Sequence, residues 1–206
     1  MSRLVVVDDG SRDDTYRILQ DMAGSRELLL PFTKPNSGHG ATCIYAYKYA
    51  VSHGADYIFQ TDTDGQTSAD EFESFWDEIG SHDAVLGKRL HRGDGKSRKF
   101  VENVLCMILR VIFGVRVPDA NCPFRLMRAD LVGKYVAMLP EDFFLPNVML
   151  TVYMSHFRDN VAFREITFMP RRGGVNSINI RRIITIGIKA VGDFLSLRHK
   201  LKEAGR

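Results

Sequence analysis

A chain of 206 residues, 45% of them apolar, can bury the core of one globular domain. The formal net charge of +3 is too small to argue for nucleic-acid binding, so we expect no nucleic-acid partner. The three cysteines lack metal-ligand spacing, which favours reduced core residues over disulfides.

The start of the chain and its apolar runs predict a cytoplasmic protein. Met1 leads directly into a strand that ends in Asp8 and Asp9, which is not the pattern of a signal peptide. No uninterrupted apolar run reaches the roughly 18 to 20 residues that cross a bilayer. We therefore expect any contact with the inner face of the cell membrane to be peripheral.

The first part of the chain alternates between β-prone and helical segments. Strands are predicted at 4–7, 28–32 and 55–59, and the β-branched run at 4–7 is typical of a strand covered on both faces. Amphipathic helices are predicted between these strands. This order predicts an α/β fold with a mostly parallel central sheet and helices on its faces.

Three polar loops follow the three predicted strands, at 8–11, 36–40 and 62–66. The carboxyl ends of parallel strands meet at one edge of a sheet, where such folds bind ligands. The two glycine-containing loops taken singly are ordinary turn chemistry, and neither has the spacing of a P-loop or of a dinucleotide fingerprint. Their location beside the acidic loop favours a nucleotide site.

The acidic loop carries Asp62, Asp64 and Gln66 directly after a buried strand. Two carboxylates separated by one residue can reach one hard cation, and the amide oxygen can add a third ligand. Mg²⁺ and Mn²⁺ take one or two protein carboxylates and complete their shell with water and phosphate oxygens. The alternative is a solvated acidic turn.

In combination these segments resemble family 2 glycosyltransferases of the GT-A fold. The matching parts are Val-Val-Val-Asp-Asp-Gly-Ser-Arg-Asp-Asp-Thr at 5–15, Asn-Ser-Gly-His-Gly at 36–40 and Thr-Asp-Thr-Asp-Gly-Gln at 61–66. The resemblance implies a UDP- or GDP-sugar donor whose diphosphate is held through Mg²⁺ or Mn²⁺ by Asp62 and Asp64, with Gln66 assisting. Asp9, with Asp8 nearby, would contact the base or ribose. The other implied donor-binding residues are Gly10, Ser11, Asn36, Gly38, Gly40, Arg171 and Arg172.

The chain departs from the family pattern at its start. Such enzymes usually begin with an earlier strand that ends in a Pro-x-Tyr-Asn type loop and helps to hold the nucleotide. This chain starts at what would be the second strand. We expect a chain without that strand to lose donor contacts and to expose an apolar flank.

The second part of the chain carries the residues that the resemblance places near the acceptor. A basic surface loop is predicted at 91–99, between a strand at 83–87 and a helix at 101–113. Asp119 either orients a catalytic group or caps a turn. Asp142 is either a general base or the amino-terminal carboxylate of a helix. Arg171 and Arg172 lie in a loop similar to the Arg-x-x-Gly-x-Ser loop of polyprenyl-phosphate glycosyltransferases.

The segment 178–206 is predicted to be a basic amphipathic helix that follows a glycosyltransferase domain at 1–177. Such a helix can lie in an anionic membrane interface. The alternative is a helix that packs on the domain and leaves a solvated basic edge.

The resemblance implies an inverting transfer of a sugar from the nucleotide to a polyprenyl phosphate or a glycan hydroxyl, in cell-envelope or polysaccharide synthesis. A hydroxyl acceptor requires a base such as Asp142 or Asp119. A phosphate is already anionic and requires only positioning by cations. The candidate cations are Arg89, Arg98, Arg171 and Arg172. Two alternatives remain, a catalytically silent nucleotide-sugar binding protein and a membrane scaffold that presents the basic helix.

Overall fold

The computed structural model describes residues 2–92, 96–170 and 180–204. The strands are β1 (Leu4–Asp8), β2 (Leu29–Thr33), β3 (Tyr57–Thr61), β4 (Ala84–Arg92), β5 (Phe124–Arg128) and β6 (Val161–Phe168). The helices are α1 (Thr15–Ala23), α2 (His39–Ser52), α3 (Phe72–Ile79), α4 (Lys96–Phe113), α5 (Ala129–Val136), α6 (Pro146–His156) and α7 (Ile180–Ala204). The chain forms two compact units: a first unit of Met1–Ile58 and Ala129–Pro146, and a second unit of Phe59–Arg128 and Asn147–Arg206.

The first unit contains the parallel pair β1 and β2, which run in register from Leu4 opposite Leu29 to Asp8 opposite Thr33. We expected β1 to be covered on both faces, and that expectation was wrong. Its valines are only half-buried and Leu4 is exposed. Within the described residues β1 pairs with β2 alone, so one edge of β1 has no neighbouring strand there.

The core of the first unit lies between α2 and α5. Ile44 and Tyr47 of α2 are buried, as are Val132 and Tyr135 of α5. The helices approach closely because α5 has a glycine, Gly133, where a side chain would press on α2. This packing fixes the orientation of α2, whose first turn includes the last two residues of the glycine loop at 36–40.

The second unit contains a mixed sheet in the order β3-β5-β4-β6. β4 pairs in parallel with β6, as expected, but β5 runs antiparallel to β4. The amide of Arg128, at the end of β5, donates to the carbonyl of Asp83, just before β4 begins. The α/β class is therefore confirmed, and the sheet carries an antiparallel strand that the sequence pattern did not predict.

Aromatic rings fill the core of the second unit. Phe124 of β5 meets Phe59 of β3 and Phe75 of α3 in edge-to-face contacts, with centroids 4.7 and 4.9 Å apart. Edge-to-face contacts stabilise beyond the area that they bury. The strand that leads to the acidic loop is thereby anchored at Phe59.

The helix α7 packs on the second unit along one side. Phe194, Leu197 and Leu201 are buried, and the Phe194 ring contacts Phe113 of α4 edge-to-face at 6.1 Å. Ile188 and other apolar side chains of α7 are exposed. Among the described residues, none of the helices combines the length and apolarity that crossing a bilayer requires.

Two segments differ from the sequence expectations at their borders. β4 continues to Arg92 and α4 begins at Lys96, so most of the loop predicted at 91–99 is strand and helix. The helix expected to begin near Asp142 is α6, which begins only at Pro146. Asp142 therefore lies outside the first turn of α6, where the helix dipole no longer reaches it, and the predicted helix-terminal role was wrong.

The close approach at Gly40 gives a test of the first unit. A Cβ atom at this position would collide with the carbonyl oxygens of Phe143 and Phe144, the latter at 2.5 Å. Gly40→Ala is expected to lower the free energy of unfolding by about 1 to 3 kcal/mol, because backbone atoms must move. Urea titration of the purified chain measures the change.

Gly24→Ala is the matched control within the same unit. Gly24 has ordinary right-handed helical backbone angles, and the nearest atom to its added Cβ would be 3.4 Å away. This variant is expected to be neutral or stabilising by up to about 1 kcal/mol, because it restricts the unfolded chain. Equal destabilisation by both substitutions would contradict the packing account.

Candidate functional site

Asp8 ends β1 and builds the turn that follows it. The backbone N–H of Ser11 donates to both carboxylate oxygens of Asp8 at 3.2 and 3.3 Å, and the Thr33 hydroxyl donates at 2.9 Å. The hydrogen bonds from Ser11 lower the pKa of the buried Asp8 carboxyl below its ordinary value, against the opposing effect of burial. Asp8 is thus an ionised acceptor that holds β1, β2 and the first polar loop together.

Asp9 holds the two glycine-containing loops together. Its carboxylate accepts the backbone N–H groups of Ser37 and Gly38 at 3.0 and 2.9 Å and forms an ion pair with Lys34. Burial raises the pKa of the Asp9 carboxyl, but these hydrogen bonds outweigh burial and the net pKa lies below its ordinary value. The negatively charged Asp9 carboxylate therefore holds the loop at 36–40 in place.

The glycines explain how closely these loops approach. Gly10 has a φ of 73°, and a Cβ atom there would lie 2.9 Å from the backbone nitrogen of Asn36. Gly38 has a φ of 89°, which L side chains rarely adopt, and it directly precedes α2. Two of the three predicted ligand loops thus form one structure within the first unit, with Ser11 and Asn36 exposed on it.

The acidic loop belongs to the second unit, at the carboxyl end of β3. Asp62 accepts a hydrogen bond from the Gln60 side-chain amide at 3.2 Å, and Asp64 accepts the backbone N–H of Gln66 at 3.1 Å. Gly65 turns the chain with a φ of 71°. Both acids are partly exposed. Their oxygen atoms are the donors that Mg²⁺ or Mn²⁺ prefers.

The Asp62 and Asp64 carboxylates could hold a cation whose other coordination positions are filled by water or a ligand. Among residues 2–92, 96–170 and 180–204, no group of three or more His, Cys, Asp or Glu side chains could hold a metal ion. Two carboxylates alone match the way Mg²⁺ sites keep positions for water and substrate phosphate. Asp62 and Asp64 are therefore the residues of this loop that could hold such a cation.

Gln66 fastens the acidic loop to the end of β6. Its side chain is only 3% exposed, and its amide nitrogen donates to the carbonyl of Met169 at 3.0 Å. The Met169 N–H in turn donates to the Gln66 carbonyl at 2.8 Å. The second bond joins the two main chains, and the first fixes the direction of the Gln66 side-chain amide, whose oxygen was predicted to be a metal ligand.

Arg89 and Asp119 form a buried ion pair. The Arg89 side chain is 7% exposed and donates to the two oxygens of Asp119 at 2.7 and 2.9 Å. It also donates to Glu102 at 3.1 Å, and its guanidinium lies 5.1 Å from the centre of the Phe168 ring. This geometry does not fit the predicted role of Arg89 as a cation that binds acceptor phosphate directly.

The same pair argues against Asp119 as a general base. Burial raises the pKa of Asp119, but its hydrogen bonds with Arg89 outweigh burial and lower the pKa to about 2. A base matched to neutral pH has a pKa much closer to 7. Of the two alternatives for Asp119, the turn cap is present in the structure, because Asp119 accepts the N–H of Asn121, two residues on, at 3.1 Å. Asp119 also orients Arg89, and a catalytic role for Arg89 stays a prediction.

Three further residues were predicted to belong to the site: Asp142, Arg171 and Arg172. Asp142 lies in an exposed turn of the first unit, between α5 and α6. Arg171 and Arg172 lie outside the described residues, as does the rest of the loop predicted to bind phosphate. Their assignment stays a prediction.

A family model decides the relationship. Residues 2–136 match the model described as glycosyl transferase family 2, which is more than half of the chain. The chain belongs to glycosyl transferase family 2. The sequence-based resemblance is therefore confirmed.

Two curated relatives of this family 2 chain have polyprenyl phosphates in their names. An undecaprenyl-phosphate 4-deoxy-4-formamido-L-arabinose transferase of Pseudomonas fluorescens is 24% identical over 184 residues, which are 89% of this chain and 52% of the relative. A dodecaprenyl-phosphate galacturonate synthase of Rhizobium johnstonii is 24% identical over 202 residues, which are 97% of this chain and 59% of the relative. The chain thus spans between half and three fifths of the length of these relatives.

Solved structures agree on the fold. Glucosyl-3-phosphoglycerate synthase from Mycobacterium tuberculosis superposes with a TM-score of 0.63 at 17% identity, over 96% of this chain and 69% of that one. The same synthase in complex with UDP gives a TM-score of 0.62 at 17% identity, over 95% and 69% of the two chains. The GT-A fold of the family 2 chain is confirmed.

Sequence reasoning missed several residues that lie around the predicted site residues. Lys34 forms an ion pair with Asp9, and Glu102 forms one with Arg89. Asn147 donates a hydrogen bond to Gln60, which donates one to Asp62. Gln60 carried one available signal, since it is a polar residue inside an apolar strand and two positions before Asp62. The other three are distant in sequence from their partners and carried no such signal.

The buried pair predicts a pH-dependent contribution to stability. Asp119→Asn is expected to lower the free energy of unfolding near pH 7 by about 3 kcal/mol, because one partner of a buried pair is lost. The folded pKa of about 2 lies below the ordinary 3.8, so Asp119 stabilises fully above about pH 4 and loses this effect as the pH falls towards 2. This pH-dependent part is about 2 kcal/mol. Urea titrations from about pH 7 to about pH 3 should show the difference from wild type shrinking.

Asp21→Asn provides the control for that series. Asp21 pairs with Arg17 on the exposed surface of α1. Its substitution should change the free energy of unfolding by less than about 1 kcal/mol. A loss in Asp119→Asn as small as that in Asp21→Asn would contradict the buried ion pair.

Proposed function

We propose that the chain carries the donor site of a metal-dependent, inverting glycosyltransferase that moves a sugar from a UDP- or GDP-sugar to a polyprenyl phosphate. The observation that carries the proposal is the acidic loop at the end of β3, with Asp62 and Asp64 partly exposed on a tight turn. Family membership and the UDP complex of a structure with the same fold support a nucleotide-sugar donor.

The residues of this chain would have the following roles in donor binding. Asp62 and Asp64 would hold Mg²⁺ or Mn²⁺, which when bound supplies positive charge to the leaving diphosphate. The exposed Ser11 and Asn36, on loops built by Asp8 and Asp9, would bind the nucleoside part of the donor. Arg171 and Arg172, whose planar guanidinium groups match phosphate oxygens, remain the proposed phosphate ligands.

The choice of a phosphate acceptor rests on the state of Asp119. A hydroxyl acceptor needs a general base, and Asp119 is committed to Arg89 with a pKa of about 2. A polyprenyl phosphate is anionic at neutral pH and needs no base. The names of both curated relatives also contain a polyprenyl phosphate. A hydroxyl acceptor would leave Asp142 as the candidate base.

A lipid acceptor brings the protein to a membrane surface, and α7 is the proposed contact. Ile188 and Leu195 are exposed apolar residues on this helix, and Lys189 and Lys200 are exposed basic residues. Exposed apolar and basic side chains together suit an anionic bilayer interface. We place the enzyme on the inner face of the cell membrane as a peripheral protein.

Calorimetric titration of UDP and GDP with and without Mn²⁺ tests the donor site. Binding to the wild-type chain is expected only with Mn²⁺, and Asp62→Ala and Asp64→Ala should each weaken it at least about tenfold, because each removes a charged ligand. Asp77→Ala, an exposed aspartate on α3, is the control and should bind as wild type does. Absence of nucleotide binding by the wild type would overturn the proposal for this chain.

Transfer assays in anionic vesicles test the acceptor. With a set of radiolabelled nucleotide sugars, label is expected to move into the organic phase when the vesicles contain undecaprenyl phosphate. Vesicles with undecaprenol instead should give no transfer, because that lipid would need a base to deprotonate its hydroxyl. Equal transfer to both lipids would contradict the phosphate acceptor, and tight donor binding without any transfer would favour the silent nucleotide-sugar binding protein.

A further inference from the structure

The Asp62 carboxylate stands at the end of a chain of side-chain amides. The Gln60 amide nitrogen donates to Asp62 at 3.2 Å, and the Gln60 amide oxygen accepts the side-chain N–H of Asn147 at 3.1 Å. An amide has its donor and acceptor on opposite sides. Because Asn147 occupies the oxygen side of Gln60, the nitrogen side has to face Asp62.

Asn147 is itself held in a buried network. It lies in the first turn of α6 and is 3% exposed. Its main-chain carbonyl oxygen accepts one hydrogen bond from the Arg125 guanidinium at 2.9 Å and one from the Thr151 hydroxyl at 2.9 Å. Arg125 is only 1% exposed and also donates to the Thr151 oxygen at 2.6 Å. The origin of the amide chain is therefore a fixed point of the second unit.

The same network reaches the segment that carries Asp119. The Thr151 hydroxyl, one helical turn after Asn147, also contacts the carbonyl oxygen of Ala120 at 3.1 Å. Asp119, the neighbour of Ala120, holds Arg89. Asn147 and Thr151 thus connect one helix face with both the acidic loop and the ion-pair segment.

From this geometry we propose that Gln60 and Asn147 are positioning residues that orient the Asp62 carboxylate for a divalent cation. The inference rests on the proposed function only in that Asp62 binds the cation. Partners that hydrogen-bond a ligating carboxylate fix its direction, and their loss typically weakens metal binding about 10- to 100-fold. Asp64 accepts a hydrogen bond from the main-chain N–H of Gln66.

Direct Mn²⁺ binding, measured from the electron paramagnetic resonance signal of the free ion in the presence of UDP or GDP, tests the proposal. Gln60→Ala is expected to weaken Mn²⁺ binding about tenfold or more while keeping the wild-type melting temperature within a few degrees. Gln20→Ala removes an exposed glutamine of α1 and should leave Mn²⁺ affinity unchanged. An unchanged affinity in Gln60→Ala, beside metal-dependent nucleotide binding by the wild type, overturns the positioning role and leaves the proposed function intact.

A double-mutant cycle separates positioning from general support of the fold. Asn147 acts on Asp62 through Gln60, so Asn147→Ala should weaken Mn²⁺ binding in the wild type and have little further effect in Gln60→Ala. Fully additive losses would mean that the two residues act independently, which contradicts the amide chain. Gln60→Ala alone carries the test if Asn147→Ala does not fold.

A second measurement does not depend on metal or nucleotide binding. In nitrogen-15 spectra of the metal-free chain, Asp62→Ala should shift the side-chain amide signals of Gln60, and Gln60→Ala should shift those of Asn147. If these signals do not move, the amide chain is absent and the inference fails. If they move but the wild type binds neither Mn²⁺ nor nucleotide, the amide chain stands as a structural feature, and both the proposed function and the positioning role for a cation are overturned.

Discussion

Pairing of buried charge is the constraint on which the loops of this protein depend. An unpaired carboxylate in a protein interior costs several kcal/mol, so an acid at a strand end must either find donors or stay near solvent. Asp8 and Asp9 find donors in the loops of the first unit, and Asp119 finds Arg89 in the second. Asp62 and Asp64 stay partly exposed. Asp62 and Asp64 are the acids that we propose to hold the cation.

The distance in sequence between interacting residues explains which features the sequence could predict. Strand and helix periodicity, together with the acidic and glycine-containing loops, predicted the α/β class and the family, because these signals are local. The partner of Asp119 is 30 residues away and that of Gln60 is 87 residues away, so neither is visible in local patterns. The antiparallel direction of β5 is likewise a property of strand pairing. A helix was predicted to begin near Asp142, but it begins only at Pro146.

The ion pair of Arg89 and Asp119 also changes the chemical interpretation of the acceptor side. Both residues were candidates for direct roles, one as a cation for phosphate and one as a base. In the structure each satisfies the other, and Glu102 and Phe168 complete the surroundings of the guanidinium. A charge pair of this kind holds a segment in place and offers little to a substrate. The proposed transfer therefore relies on an acceptor that is already anionic.

The amides beside the two acids have a charge argument of their own. Two carboxylates balance a divalent cation, and a neutral complex can accept the negative charges of a diphosphate without repulsion. A further carboxylate at Gln60 or Gln66 would bind the cation more tightly and repel the diphosphate. Glutamine supplies the direction of a hydrogen bond without that charge, as Gln60 does for Asp62 and as Gln66 does for the end of β6. The local sequence Gln-Thr-Asp-Thr-Asp-Gly-Gln thus suits the proposed site, whose cation would bind and release together with a nucleotide.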